Sequence, residues 1–385
     1  MSDAFDRLRQ RAEREVDERL PACQFAVAKD GELLGFETIS RTGAETNDTR
    51  FLMWSCTKAL VAGVVWQLVG EGLLDVEQRV AHYLPEFATN GKDVVTVDHV
   101  LQHTAGFPMA PMGPRSWGTS EGRRLTFAKW RLEWEPGTRF QYHALSAWWV
   151  LAELIVEVTG NDHRDEVRRR ISEPLRLPTV QLGVPEAEQG DIAKLKVVGQ
   201  RATEEERRAA GLDWSVPTAE PAAPGDIVAT PAIEVPPVLV LSLGTPAAQE
   251  AGIPGGGAVA TAAELALYYQ ALLRNPGDLW DPEVLADGTG VVRNTFPDLP
   301  KWHLPANRTR GLVVRGDHEG AHWMMHFGPG TSPRTFGHDG AGGQIAWADP
   351  ESGLSFVFLT NGMDQNAVRE ITRCQDLATL AAACA

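Results

Sequence analysis

Residues 55–73 read SCTKALVAGVVWQLVGEGL. The run is apolar on nearly every side, which suits a helix buried in the middle of a protein. Its first turn nevertheless carries Ser55 and Lys58, three residues apart and so on one helix face. A serine hydroxyl is a poor nucleophile until a base takes its proton. A lysine shielded from water can be that base, because desolvation disfavours the ammonium form. A helix N-terminus also favours negative charge, so the Ser55 N–H can help to hold an oxyanion. In many chains an SxxK tetrad is only a cap followed by a surface lysine. A lysine in the opening turn of a buried helix demands a reason.

Outward from this helix the chain reads as follows. Residues 23–29 and 32–39 flank Asp30-Gly31, a two-residue hairpin signal. Residues 4–20 form an amphipathic helix with Phe5, Leu8, Ala12, Val16 and Leu20 on one stripe, ended by Pro21. Further helices are expected over 98–102, 144–160, 162–172 (capped by Asn161-Asp162), 261–274 (capped by Thr261) and 364–383. Strands are expected over 311–316, 344–349 and 354–360, the last two joined by a turn at 349–353. Frequent proline and poor periodicity over 183–256 predict long loops, including a lid over a cleft. Strands at both chain ends with helices between them imply an α+β fold. It has one antiparallel sheet built from both termini, flanked by helices, and a mostly helical insertion. Residues 1–80 and 255–385 would form the sheet domain and 81–254 the helical and loop-rich insertion. A length of 385 residues suits such a division.

Composition narrows the function. The net charge of −15 opposes binding to nucleic acid or to an anionic membrane surface. Four cysteines, Cys23, Cys56, Cys374 and Cys384, form no CxxC pair and are too few for a disulfide scaffold. The N-terminal stretch is charged, without the apolar core of a signal peptide, and no apolar run reaches about 18 residues. A cytoplasmic protein with reduced thiols is the expectation.

Two further segments carry chemistry. Tyr142 lies in PGTRFQYHALSAWW (136–149), at a junction between an extended piece and a helix, where a phenol can relay a proton in a cleft. FGHDGAGGQIAW (336–347) surrounds His338 and Asp339 with glycine just before a strand, so backbone N–H groups can approach a ligand closely. Each segment has a plainer reading, a core tyrosine and a glycine-rich hairpin.

Together, in order and spacing, Ser55-Cys-Thr-Lys58, Tyr142-His143-Ala144 and His338-Asp339-Gly340 resemble the serine β-lactamase and penicillin-binding-protein superfamily. VDHVLQHTAGFP (97–108) and Glu135-Pro-Gly-Thr138 extend the resemblance, which is nearest to the family VIII carboxylesterases. The resemblance implies Ser55 as acyl-forming nucleophile, Lys58 as its activator and Tyr142 as partner in proton transfer. It implies an oxyanion hole of the Ser55 and Ala341 N–H groups, and contacts to substrate from His338, Asp339, Gly340, His143 and Trp54. It implies a small-molecule ester substrate, with no cofactor and no metal. Whether copies associate as a homo-oligomer stays open.

Ala144 stands where the family's second motif has asparagine, and His338-Asp339 where the third has Lys-Thr. An aspartate there repels the carboxylate of a β-lactam, although a protonated His338 would partly compensate. The expected activity is serine carboxylesterase on short-chain esters. The alternatives are a β-lactamase or D-amino-acid peptidase, an acyltransferase, or a binding module that is acylated without turnover. His99 and His103, four apart, lack the glutamate and third ligand of a metal site, and His322 and His326 are discounted likewise. Gly255-Gly256-Gly257 reads as a turn, not a phosphate loop. Trp54 and Trp347 are equally suited to an acyl pocket or to core packing, and Cys56 to a small buried position.

Overall fold

The computed structural model describes residues 3–210, 242–298 and 304–385. Its main sheet has six strands: β1 (Ala22–Lys29), β2 (Glu32–Ser40), β3 (Val313–Val314), β4 (Phe336–Gly340), β5 (Gln344–Asp349) and β6 (Leu354–Thr360). They lie in the order β2-β1-β6-β5-β4-β3, and every pairing is antiparallel. β1 and β6 pair from Cys23↔Thr360 to Lys29↔Leu354, so the two chain ends close one sheet. Asp30 and Gly31 both have left-handed backbone (φ 56° and 84°), as a tight two-residue hairpin requires.

Apart from the edge strand β2, which is exposed to half-buried, the sheet is buried on both faces, and the strands divide their side chains by size. Phe25, Val27, Ile345, Trp347, Phe356 and Phe358 face one way, onto α1 (Asp3–Glu18) and α5 (Ala367–Ala382). Ala26, Ala28, Ala346, Ala348 and Val357 face the other way, toward α2 (Thr57–Gly70) and α4 (Ala262–Arg274). The alternation follows from the two-residue period of a strand. Small side chains on the second face let α2 and α4 approach the sheet closely. Trp347 therefore belongs to the core, packed on Phe356 with ring centroids 5.6 Å apart. α3 (Ser146–Thr159) packs on the outer side of α2, which buries α2 all round.

Several expected elements appear with their expected ends. β5 and β6 match 344–349 and 354–360, and Thr261 caps α4 by accepting from Glu264 N–H. Asp162 caps the helix at His163–Val167, which passes into a π turn at Arg168–Ser172. Others differ. The strand expected over 311–316 is only Val313–Val314. β4 was not expected as a strand, because FGHDG has weak strand propensity. It pairs because β5 and β3 flank it on both sides. The described flanks of 183–256 are not plain loop. Lys196–Val198 pairs in parallel with Gly362–Asp364, and Glu204–Ala209 and Pro246–Ala251 are helical. The lid expected within that region falls largely on 211–241, outside the described residues. Among the described residues, no helix is long and apolar enough to cross a membrane.

Candidate active site

The start of α2 is pinned from two sides. Phe51–Leu52 pairs with Ala258–Ala260, Met53 N–H donates to Ala258 O, and Ala258 N–H donates to Thr57 Oγ1. Between these anchors Trp54 takes a left-handed backbone (φ 50°) and a single 3-10 turn carries Ser55 into the helix. Ser55 is half-buried and Lys58, one turn on, is fully buried.

Lys58 Nζ lies 3.1 Å from Ser55 Oγ and donates to Gly255 O at 2.5 Å. Tyr142 Oη lies 3.0 Å from the same Ser55 Oγ. The amine also stands 5.1 Å from the Tyr142 ring centroid and 5.4 Å from that of Trp148. Burial pushes the Lys58 pKa well below that of an ordinary lysine, and the charge of Arg308 pushes it the same way, against Asp339. Burial raises the Tyr142 phenol above its usual 10, opposed by Arg308 and by the bond to Ser55. The arrangement is a nucleophile with two proton-handling groups within hydrogen-bond reach.

Tyr142 is presented by the loop before α3. That loop is held by His103, whose carbonyl accepts from Gln141 N–H and whose Nδ1 accepts from His143 N–H at 3.0 Å. His99 closes a capping box with Thr96 at the helix Val97–Leu101. Both histidines discounted as metal ligands thus have structural work. His143 was assigned to substrate, but it is fully buried. Its Nε2 accepts from Phe107 N–H and its Nδ1 is 2.6 Å from Gln141 O, so no ring nitrogen is left for a ligand. Burial holds its pKa down to about 3.

β4 brings the third motif against α2. Cys56 Sγ donates to His338 O at 3.2 Å, which accounts for the small buried cysteine next to the serine. A Cβ at Gly340 would fall 2.8 Å from Met53 O, so only glycine allows this approach. Ala341 follows at the turn into β5. Among the described residues, neither the Ser55 nor the Ala341 backbone N–H has a hydrogen-bond partner. Trp54 packs in a small apolar cluster with Leu52 and Met363, which Leu243 and Ala341 border. His338 is buried with both nitrogens engaged. Nε2 lies 3.1 Å from Arg308 Nη1, and Nδ1 lies 2.7 Å from Asp339 O. Burial lowers its pKa to about 4, so it is no cation at neutral pH and does not offset Asp339. The compensation expected from a protonated His338 is therefore absent.

Two participants escaped the sequence reading. Gly255 reads locally as part of a turn, yet its carbonyl holds Lys58. Arg308 carried no signal in NRTR (307–310), yet it is 1% exposed and lies over the Tyr142 ring, 5.1 Å from its centroid. Gly255 yields a test. An alanine Cβ there would meet Ala144 O at 2.6 Å, so the 253–257 turn or the tyrosine loop must shift. Gly255→Ala is expected to lower kcat between about 10- and 100-fold by moving the Lys58 acceptor. Steady-state rates beside a thermal melt check this, since loss of rate should exceed loss of folded protein.

The beta-lactamase family model matches residues 7–380. The esterase/beta-lactamase LipL of Mycobacterium tuberculosis is 31% identical over 320 residues, covering 82% of this chain and 70% of its own. The esterase EstB of Burkholderia gladioli is 29% identical over 380 residues, covering 90% and 87%. A penicillin-binding protein homologue from Caulobacter crescentus superposes with a TM-score of 0.73 at 26% identity, over 99% of this chain and 98% of that one. The match runs almost end to end, through the serine, the tyrosine and the glycine hairpin alike, and this chain belongs to the beta-lactamase family.

Proposed function

We propose that this chain is a serine carboxylesterase that hydrolyses short-chain carboxylic esters through an acyl-enzyme on Ser55. The observation that carries the reading is the convergence of Lys58 Nζ and Tyr142 Oη on one serine oxygen. A neutral lysine keeps one lone pair. With an N–H on Gly255 O, that lone pair is free for the Ser55 proton.

In the first half-reaction Ser55 Oγ bonds to the ester carbonyl carbon, and its proton passes to Lys58. The carbonyl oxygen, now negative, lies against the Ser55 and Ala341 N–H groups. The carbon–oxygen bond to the alcohol then breaks, and the alcohol leaves with the proton returned through Tyr142 or Lys58. In the second half-reaction water attacks the acyl carbon, giving its proton to the same pair. Ser55 departs from that carbon and recovers a proton. Lys58 and Tyr142 act as one coupled system.

The neutral ester is favoured over a β-lactam by the surroundings of the third motif. Asp339 keeps partial exposure, His338 has no free nitrogen and Ala144 offers no amide side chain. Trp54 adds an apolar wall beside the nucleophile. The names of LipL and EstB both include esterase activity. The LipL name also includes β-lactamase, which keeps β-lactam hydrolysis as the second reading. The test compares kcat/KM on p-nitrophenyl butyrate, a chromogenic cephalosporin and a D-alanyl p-nitroanilide. The expected result is a preference for the ester of at least about 100-fold. A cephalosporin turned over as fast as the ester would reverse the assignment.

A further inference from the structure

Arg308 is a buried cation that the mechanism above does not use. It is 1% exposed, and Asp298 and Asp339 are the carboxylates near enough to favour its charge against burial. Burying such a charge is expensive, so its position calls for an account. Its Nη1 is 3.1 Å from His338 Nε2. A guanidinium has only donors, so His338 Nε2 must be the acceptor and the ring proton must sit on Nδ1, where it donates to Asp339 O. Its Cζ is 5.1 Å from the Tyr142 ring centroid, the same distance at which Lys58 Nζ stands. Lys58 Nζ and Arg308 Cζ therefore lie at most about 10 Å apart beside one aromatic ring.

We propose that Arg308 is a positioning residue of this site: it clamps His338 as the neutral Nδ1–H tautomer and holds a permanent positive charge beside Tyr142, which keeps Lys58 free of its proton when Ser55 attacks. The inference rests on the esterase reading only for its kinetic readout. Lys58 faces Arg308, His103, His338, Tyr142, Cys56 and Asp339. Burial disfavours the charged forms of the two histidines, the phenol and the thiol. That leaves Arg308 against Asp339 as the charges that bias the amine. His338 itself faces Arg308, Asp339, Lys58, Tyr142 and His103, with Tyr269 beside its backbone. A guanidinium serves here where a second lysine would not, because it stays charged when desolvated.

Lys58 must be neutral to act as base, so activity rises with pH through its ionisation. A nearby positive charge lowers that ionisation and a negative charge raises it. In Arg308→Gln the acid limb of kcat/KM for p-nitrophenyl butyrate is expected to move up by about one pH unit. In Asp339→Asn it is expected to move down, and in Arg308→Lys to move up as in Arg308→Gln, since a lysine desolvated there sheds its charge. Opposite displacements from two neighbouring substitutions are not what a loosened site would give. A folded Arg308→Gln enzyme whose acid limb stays in place overturns the electrostatic role.

The clamp is read separately, from the ¹⁵N shifts of the wild-type histidines, with His338 assigned by its loss in His338→Asn. The expected form is Nδ1–H, persisting unprotonated to about pH 4. A His338 that carries its proton on Nε2, or titrates near 6.5, overturns the clamp whether or not the Arg308 variants fold. If the wild type hydrolyses no ester, the esterase reading fails. The pH dependence of Ser55 labelling by a fluorophosphonate then takes the place of turnover and still tests Arg308.

Discussion

Replacing Ser55 by alanine is expected to lower kcat/KM on p-nitrophenyl butyrate at least about 10⁴-fold and to leave the fold standing. In free-energy terms that is a loss of about 5.5 kcal/mol of transition-state stabilisation. The magnitude follows from the geometry. Lys58 and Tyr142 both direct their polar atoms at one oxygen, and without it neither has a substrate for proton transfer. The residual rate would come from binding and from the oxyanion N–H groups alone. The fold should not notice. Ser55 is half-buried on a short 3-10 turn, and that turn is anchored by Met53, Thr57 and Ala258 rather than by the serine side chain. Lys58 retains Gly255 O as an acceptor. A change in stability within about 1 kcal/mol is expected, read from thermal melts of both proteins.

The second large effect concerns Lys58, where activity and stability should move in opposite directions. Lys58→Met removes the base and is expected to lower kcat/KM about 10³-fold. The same change should raise the melting temperature at pH 7. The reason is linkage. Burial lowers the Lys58 pKa in the folded state well below its unfolded value near 10.5. Between those two values the unfolded chain binds a proton that the native state does not, so the native state loses stability as pH falls. Methionine has a similar length and nothing to protonate. It does leave Gly255 O without its partner, a cost of about 1–3 kcal/mol that does not vary with pH. The advantage of the variant should therefore be greatest near neutrality and shrink or reverse by pH 10. Melts of both proteins at pH 7 and pH 10 check this. An equal difference at the two pH values would mean that Lys58 is not held toward its neutral form.

Why some of this was readable in the sequence, and some was not, comes down to range. β5 and β6 are apolar runs bounded by Asp349 and Gly353, a local pattern, and their ends were found. The buried character of α2 was legible because no polar stripe interrupts it after Lys58. β4 hid because its glycines and charges suit a loop, and only its partners on either side make it a strand. Ser55 and Lys58 were legible as neighbours on a helix, and Tyr142 and His338 through the resemblance. Gly255 was correctly read as a turn, but its carbonyl meets Lys58 across 197 residues, and no local pattern carries that contact. Nothing local in NRTR (307–310) marks Arg308 for burial, since burial of an arginine is decided by tertiary packing. His143 shows the converse error. Its neighbour Tyr142 reaches the serine, while its own ring turns to Phe107 and Gln141 and holds the loop.

Acylation of Ser55 is the step on which the proposed mechanism turns. Rapid-quench intact mass after mixing with excess p-nitrophenyl butyrate, followed by peptide mapping, tests it most directly. The expected result is one butyryl group per chain in the first turnover, located on the peptide containing Ser55, decaying as substrate is exhausted and absent from Ser55→Ala. Turnover of the ester by the wild type with the butyryl group mapped to another residue, or undiminished turnover by Ser55→Ala, would contradict it.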